Sequence, residues 1–162
     1  MRVLRFTIAL AALITGLAGT ATAQTATQTV TYEVQAINQI SVSGNPSALV
    51  VSSATAGGAP TSATNNSTTW AITTNETNKK VTAAINTAMP TGLTLSASLA
   101  APTGATSAGS VALGTTAADL VTGMSKQNQS GMTITYTLDA TSAAGVVSSS
   151  TKTVTFTVVT GP

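Results

Sequence analysis

The chain has 162 residues, of which 43% are hydrophobic, 6% charged and 3% aromatic, and it contains neither Cys nor His. Without Cys there are no disulfides or thiolate metal sites, and without His the usual general base near neutral pH and the commonest nitrogen metal ligand are missing. The formal charge of +2 rests on Arg2 and Arg5, beyond which four Lys face four Asp and Glu, so the chain has no basic footprint for nucleic acid or an anionic membrane.

Arg2 and Arg5 precede an apolar run over residues 6–17, and Ala21-Thr22-Ala23 fits a small-x-small cleavage site. The run is shorter than the roughly 20 apolar residues a membrane-spanning helix needs. The reading is an export signal over 1–23 and one domain over 24–162. Removing 23 of the 162 residues leaves 139, enough for one ordinary core. No Cys is present for lipid attachment and no LPxTG pattern occurs, so neither anchoring route is expected.

Residues 29–42 read TVTYEVQAINQISV. The even positions Val30, Tyr32, Val34, Ala36, Asn38, Ile40 and Val42 are apolar apart from Asn38. Successive strand side chains point to opposite faces, so this spacing predicts one long amphipathic strand. Strands usually run to about six residues, so this one is long, and it stands near the free end of the exported chain. Val30, Tyr32, Val34, Ala36, Ile40 and Val42 are the candidate assembly residues.

A turn cluster follows at 43–46, then a short apolar strand at 49–52 and a long polar loop at 53–69. Trp70 and Ile72 open a strand that is expected to turn through 74–79 and return as Val81, Ala83 and Ile85, a hairpin with charge at its tip. Met89-Pro90-Thr91-Gly92 suits a type I turn with Pro second and Gly fourth. Leu93, Leu95, Ala97 and Leu99 alternate as a strand, and a weak one lies at 110–113. Residues 115–123 (TTAADLVTG) are the one helical candidate, with Thr116 as cap, Asp119 in the first turn and Gly123 as terminator. Met132, Ile134, Tyr136, Leu138 and then Val154, Phe156, Val158 mark the last two strands. About eight short strands, frequent turn signals and at most one short helix predict an all-β, antiparallel β-sandwich, Ig-like or jelly-roll-like. A membrane β-barrel would need strands of about ten residues and aromatic girdles, which this composition does not supply.

The search for chemistry returns little. The four carboxylates beyond the leader are scattered singly over different elements, which suits solvated charges better than a catalytic pair. Ser149-Ser150-Thr151-Lys152 matches S-x-x-K, but the partner motifs S-D-N and K-T-G are absent and the stretch leads into a strand. N-glycosylation sequons begin at Asn65, Asn66, Asn75 and Asn128, and matter only in a pathway with that machinery. No catalytic residue, cofactor or metal site is expected. The aromatics Tyr32, Trp70, Tyr136 and Phe156 each share strand parity with aliphatic neighbours, which suits core packing. Among them Trp70 and Tyr32 are the candidate ligand contacts of a polysaccharide- or protein-binding module.

The stretch 24–36, an alternating strand directly after an export signal, resembles that of bacterial donor-strand fibre subunits such as chaperone–usher pilins and spore-coat-U-like proteins. That resemblance implies an N-terminal extension that completes the sheet of the next subunit. Trp70-Ala71-Ile72 is also similar to the opening of Trp-x-Leu surface domains, with Ile for Leu. Independently of either, strands 93–99, 132–138 and 153–160 carry no charge, and 29–42 carries only Glu33. Soluble sandwiches usually blunt their edges with Lys, Pro or bulges, so such strands are open to main-chain pairing. The expectation is a secreted, non-catalytic structural protein of a bacterial cell surface. It would polymerise with copies of itself by strand exchange, with no nucleic acid partner and no membrane insertion. The alternative is a monomeric cell-surface binding module.

Overall fold

The computed structural model describes residues 22–161, so nearly all of the expected export signal lies outside the described residues. The described chain divides at Glu33/Val34 into two units. Residues 22–33 are exposed and belong to no helix or strand. The second unit is all-β, with a single 3-10 turn at Ser142–Ala144.

Two antiparallel sheets make up this unit. The first runs in the order β1 (Asn38–Val42), β2 (Ala63–Thr74), β8 (Gln127–Ala140), β4 (Leu93–Leu99) and β6 (Val111–Ala112). The second runs β5 (Thr106–Ser107), β7 (Ala118–Met124), β3 (Lys79–Ile85) and β9 (Val154–Thr160). β1 and β2 are sequential partners. Every later connection passes from one sheet to the other. Both sheets turn alternate residues inward, and the core joins Trp70 and Ile72 of β2, Val81 and Ile85 of β3, Leu99 of β4, Leu120 of β7 and Ile134 of β8. The expected antiparallel β-sandwich is therefore the observed architecture, with nine strands among the described residues.

The alternation over 93–99, 132–138 and 154–158 falls on β4, β8 and β9, and the weak strand at 110–113 on β6. Six expectations are corrected. The long opening strand is ordered as a strand only over Asn38–Val42. Residues 29–37 belong to no strand, and apolar alternation alone does not make one. The hairpin expected across 74–79 is instead a crossover, because β2 pairs with β1 and β8 while β3 pairs with β7 and β9. Asn78 at φ +53° makes the tight change of direction that looks, in sequence, like a hairpin turn.

The predicted helix at 115–123 is strand β7 over most of its length. Leu120 and Val121 are both buried, which a register shift opposite Val81 and Thr82 allows, and Asp119 forms an ion pair with Lys80 at 3.0 Å instead of capping a helix. The polar stretch 63–69, expected as loop, is the first half of β2. Its bulge between Asn65 and Thr68 is closed by the Asn65 side chain, which accepts hydrogen bonds from the Ser67 N–H and hydroxyl at 3.0 and 2.8 Å. Residues 49–52, expected as a strand, belong to none.

The turn before β4 is shifted by one residue from its expected frame. Leu93 N–H donates to the Pro90 carbonyl at 3.1 Å, and Gly92, now third in the turn, takes φ +82°. That position requires positive φ, as in a type II turn. A Cβ on Gly92 would also stand 2.5 Å from the Ala144 backbone nitrogen. Gly92→Ala is expected to destabilise the domain by at least about 1 kcal/mol, read as a lower thermal midpoint by circular dichroism. An unchanged midpoint would contradict this turn geometry.

Candidate functional site

Four charged side chains of the sandwich form two ion pairs, and two more are held by hydrogen bonds. Lys79 bridges to Glu76 at 2.9 Å and Lys80 to Asp119 at 3.0 Å. The Ser62 hydroxyl donates to Asp139. Lys152 Nζ donates to Thr87 Oγ1 at 2.7 Å and to the Ala88 carbonyl at 2.8 Å, tying the β8–β9 connection to the end of β3. Asn38 donates to Glu76, and this bond, with the bond from Lys79, lowers the Glu76 pKa from its ordinary value. Among the described residues no three Asp, Glu, His or Cys gather where they could hold a metal ion, and no helix is long and apolar enough to cross a membrane.

The connection between β2 and β3 grips the start of β1. The Asn75 side chain accepts from Ile37 N–H at 2.8 Å and donates to the Gln35 carbonyl at 2.7 Å. It thereby copies the pairing of a strand backbone and extends the β1–β2 ladder by one step. Thr74 Oγ1 donates to Asn38 Oδ1 at 2.8 Å beside it. Ser43 closes the other end, its N–H donating to the Thr69 carbonyl at 2.9 Å and its hydroxyl accepting from Thr69 N–H at 2.8 Å.

The candidate assembly residues separate into two groups. Val30, Tyr32 and Val34 are 76%, 89% and 78% exposed, and Ala36 is exposed as well. Ile40 is half-buried against the core, and Val42 stands at the wall of a groove. The two candidate ligand contacts also part company. Trp70 is 1% exposed and its Nε1–H donates to the Ala100 carbonyl at 3.1 Å, so its face is not available to a sugar. Tyr32 remains in solvent.

The groove did not emerge from the sequence. It opens between the sheets and encloses about 1180 Å³. Leu93, Leu95, Ile134, Tyr136, Met89 and Phe156 contribute its apolar surface, and the connections at 44–54 and 141–153 form its rims. Burial raises the pKa of the Tyr136 phenol. Lys152 is the one charged side chain among the described residues of the wall. Thr68 also faces this space. It is 3% exposed, and its Oγ1 is the buried side-chain polar atom left without a hydrogen-bond partner among the described residues. Beside the groove runs β9, which ends its sheet with β3 as its strand partner and turns Val154, Phe156 and Val158 half inward. No charge, Pro or bulge guards this edge. The signals that could have pointed to the groove are the apolar triplet Leu49-Val50-Val51 inside a polar loop and the uncharged run of β9.

Comparison with family models, with curated proteins and with solved structures returned no match in any of the three.

Proposed function

We propose that this chain is a secreted, non-catalytic structural protein, the subunit of a bacterial extracellular filament or surface layer that assembles by β-strand addition. One observation carries the reading. Val30, Tyr32, Val34 and Ala36 present their side chains to solvent at strand spacing, in a stretch that belongs to no strand among the described residues. Solvent exposure of three large apolar side chains in so short a stretch is costly unless a second surface covers them. Main-chain pairing with a sheet edge is a mode by which such a stretch would be covered. The near-balance of four Lys against four Asp and Glu beyond the leader adds no repulsion between copies. The binding-module reading has lost one of its two aromatic contacts to the core, since Trp70 is buried.

Electron microscopy of the purified exported chain, with sedimentation velocity over a hundredfold range of concentration, tests the proposal. Filaments or sheets, and a sedimentation coefficient that rises with concentration, are expected. A monomer at all concentrations, together with bare cell surfaces in the native host, would reject it.

A further inference from the structure

We infer that the groove between the sheets is a binding site for a long-chain fatty acid that carries a hydroxyl group toward its far end. The site is independent of assembly, since none of the exposed residues 30–36 lines it.

The groove has the size and character of a small-molecule site. Such sites enclose about 300–1,000 Å³ and are mostly apolar with a few placed polar groups; this one encloses about 1180 Å³. Leu95 from one sheet and Phe156 from the other add to its apolar surface. Ile134, Tyr136, Leu138 and Ala140, alternate residues of β8, lie along it. At strand rise they span about 20 Å. A fully extended chain advances about 1.2 Å per bond, so a chain of about 16 bonds matches that length.

A polar group marks each end of this line. Thr68 pairs with Ile134 in the β2–β8 ladder, and Trp70, the next inward residue of β2, already belongs to the core. Thr68 therefore stands at the inner end. It is 3% exposed, and its Oγ1 has no hydrogen-bond partner among the described residues. A buried hydroxyl left alone is unfavourable, and a ligand oxygen beside it would remove that cost.

Lys152 stands at the other end. Its Nζ donates to Thr87 Oγ1 and to the Ala88 carbonyl, in the connection that leads into Leu93, and Leu93 pairs with Ala140. Both of those oxygens are neutral, and an ammonium carries three donors, so one donor and the positive charge can serve a ligand. No other charged side chain among the described residues lines the wall. One cation balances one negative charge, which favours a carboxylate over a doubly charged phosphate and rejects an amine. A carboxylate at Lys152, an apolar chain along β8 and a hydroxyl at Thr68 match the three regions together.

Isothermal titration calorimetry of the full exported chain tests the site. The probes are ω-hydroxypalmitate, palmitate and hexadecanediol, each kept below the concentration at which it aggregates. Saturable binding of ω-hydroxypalmitate is expected, about tenfold tighter than palmitate and about tenfold tighter than the diol. The first ratio reports the contact with Thr68, the second the contact with Lys152. Thr68→Val should bring the first ratio to about one, and Lys152→Met should do the same to the second. Thr68→Ser keeps a hydroxyl and Lys152→Arg keeps a charge, so these variants should retain the parent preferences. Circular dichroism confirms that each variant is folded. A binding isotherm that does not saturate, or equal affinities for the three probes, would overturn the site. So would a ratio that its own substitution leaves untouched.

Discussion

Trp70→Ala is expected to cost about 3–5 kcal/mol, measured as a lower midpoint of urea denaturation at unchanged slope. The ring is 1% exposed, and with Ile72 and Ile134 it belongs to the core between the sheets. Two effects contribute, and they differ in size. Loss of the bond from Nε1 to the Ala100 carbonyl is worth about 1 kcal/mol at most, because Ala100 is exposed and water can replace the indole as donor. The cavity left by the ring, bounded by two sheets that cannot collapse independently, accounts for the rest. Trp70→Phe separates the two. It keeps an aromatic ring in the core and removes the donor, and should cost about 1–2 kcal/mol. If both variants cost the same, the hydrogen bond and not the packing would dominate, and the account of this core would be wrong.

Where apolar alternation coincided with burial on one face, the sequence was a good guide to the fold. Leu93, Leu95, Ala97 and Leu99 of β4, and Met132, Ile134 and Tyr136 of β8, are inward-facing residues at a period of two. β7 was illegible because Leu120 and Val121 are consecutive and both buried, a pattern that breaks the period at a register shift. Short-range capping signals around Asp119 then pointed to a helix, and tertiary pairing with β3 and β5 overrode them. Topology was hidden for a different reason. From β2 onward each strand crosses to the other sheet, so partners are remote in sequence and the turn residues at 75–78 look the same for a hairpin as for a crossover. The groove could not be read at all. It depends on where β1 stops, on Thr68 lacking a partner and on the path of 44–54, none of which has a periodic signature. The exposed alternation at 30–36 was visible from the start, but its length of regular strand was overestimated, because the sequence carries no mark of where pairing inside the chain ends.

The second large effect concerns that stretch. Val34→Asp should abolish assembly while leaving the thermal midpoint of the isolated subunit within about 1 °C of the parent, because Val34 is 78% exposed in the single chain. Covered by a second copy, the same substitution would bury a carboxylate among apolar side chains, at a cost of several kcal/mol before relaxation. Since 1.4 kcal/mol is tenfold in affinity, a cost of that size shifts assembly by two orders of magnitude or more. Gln35→Asp adds the same charge one residue along, on the opposite strand face, and should change assembly less than tenfold. The bond from the Asn75 side-chain amide to the Gln35 carbonyl does not involve the Gln35 side chain and should survive. Only strand parity separates the two variants, so net charge and general solubility cancel in the comparison. Sedimentation velocity of both at matched concentration gives the answer. Two variants that assemble equally well would mean that 30–36 does not dock as a strand with its even face inward. Two that both unfold would mean that the stretch belongs to the subunit's own core, contrary to its exposure.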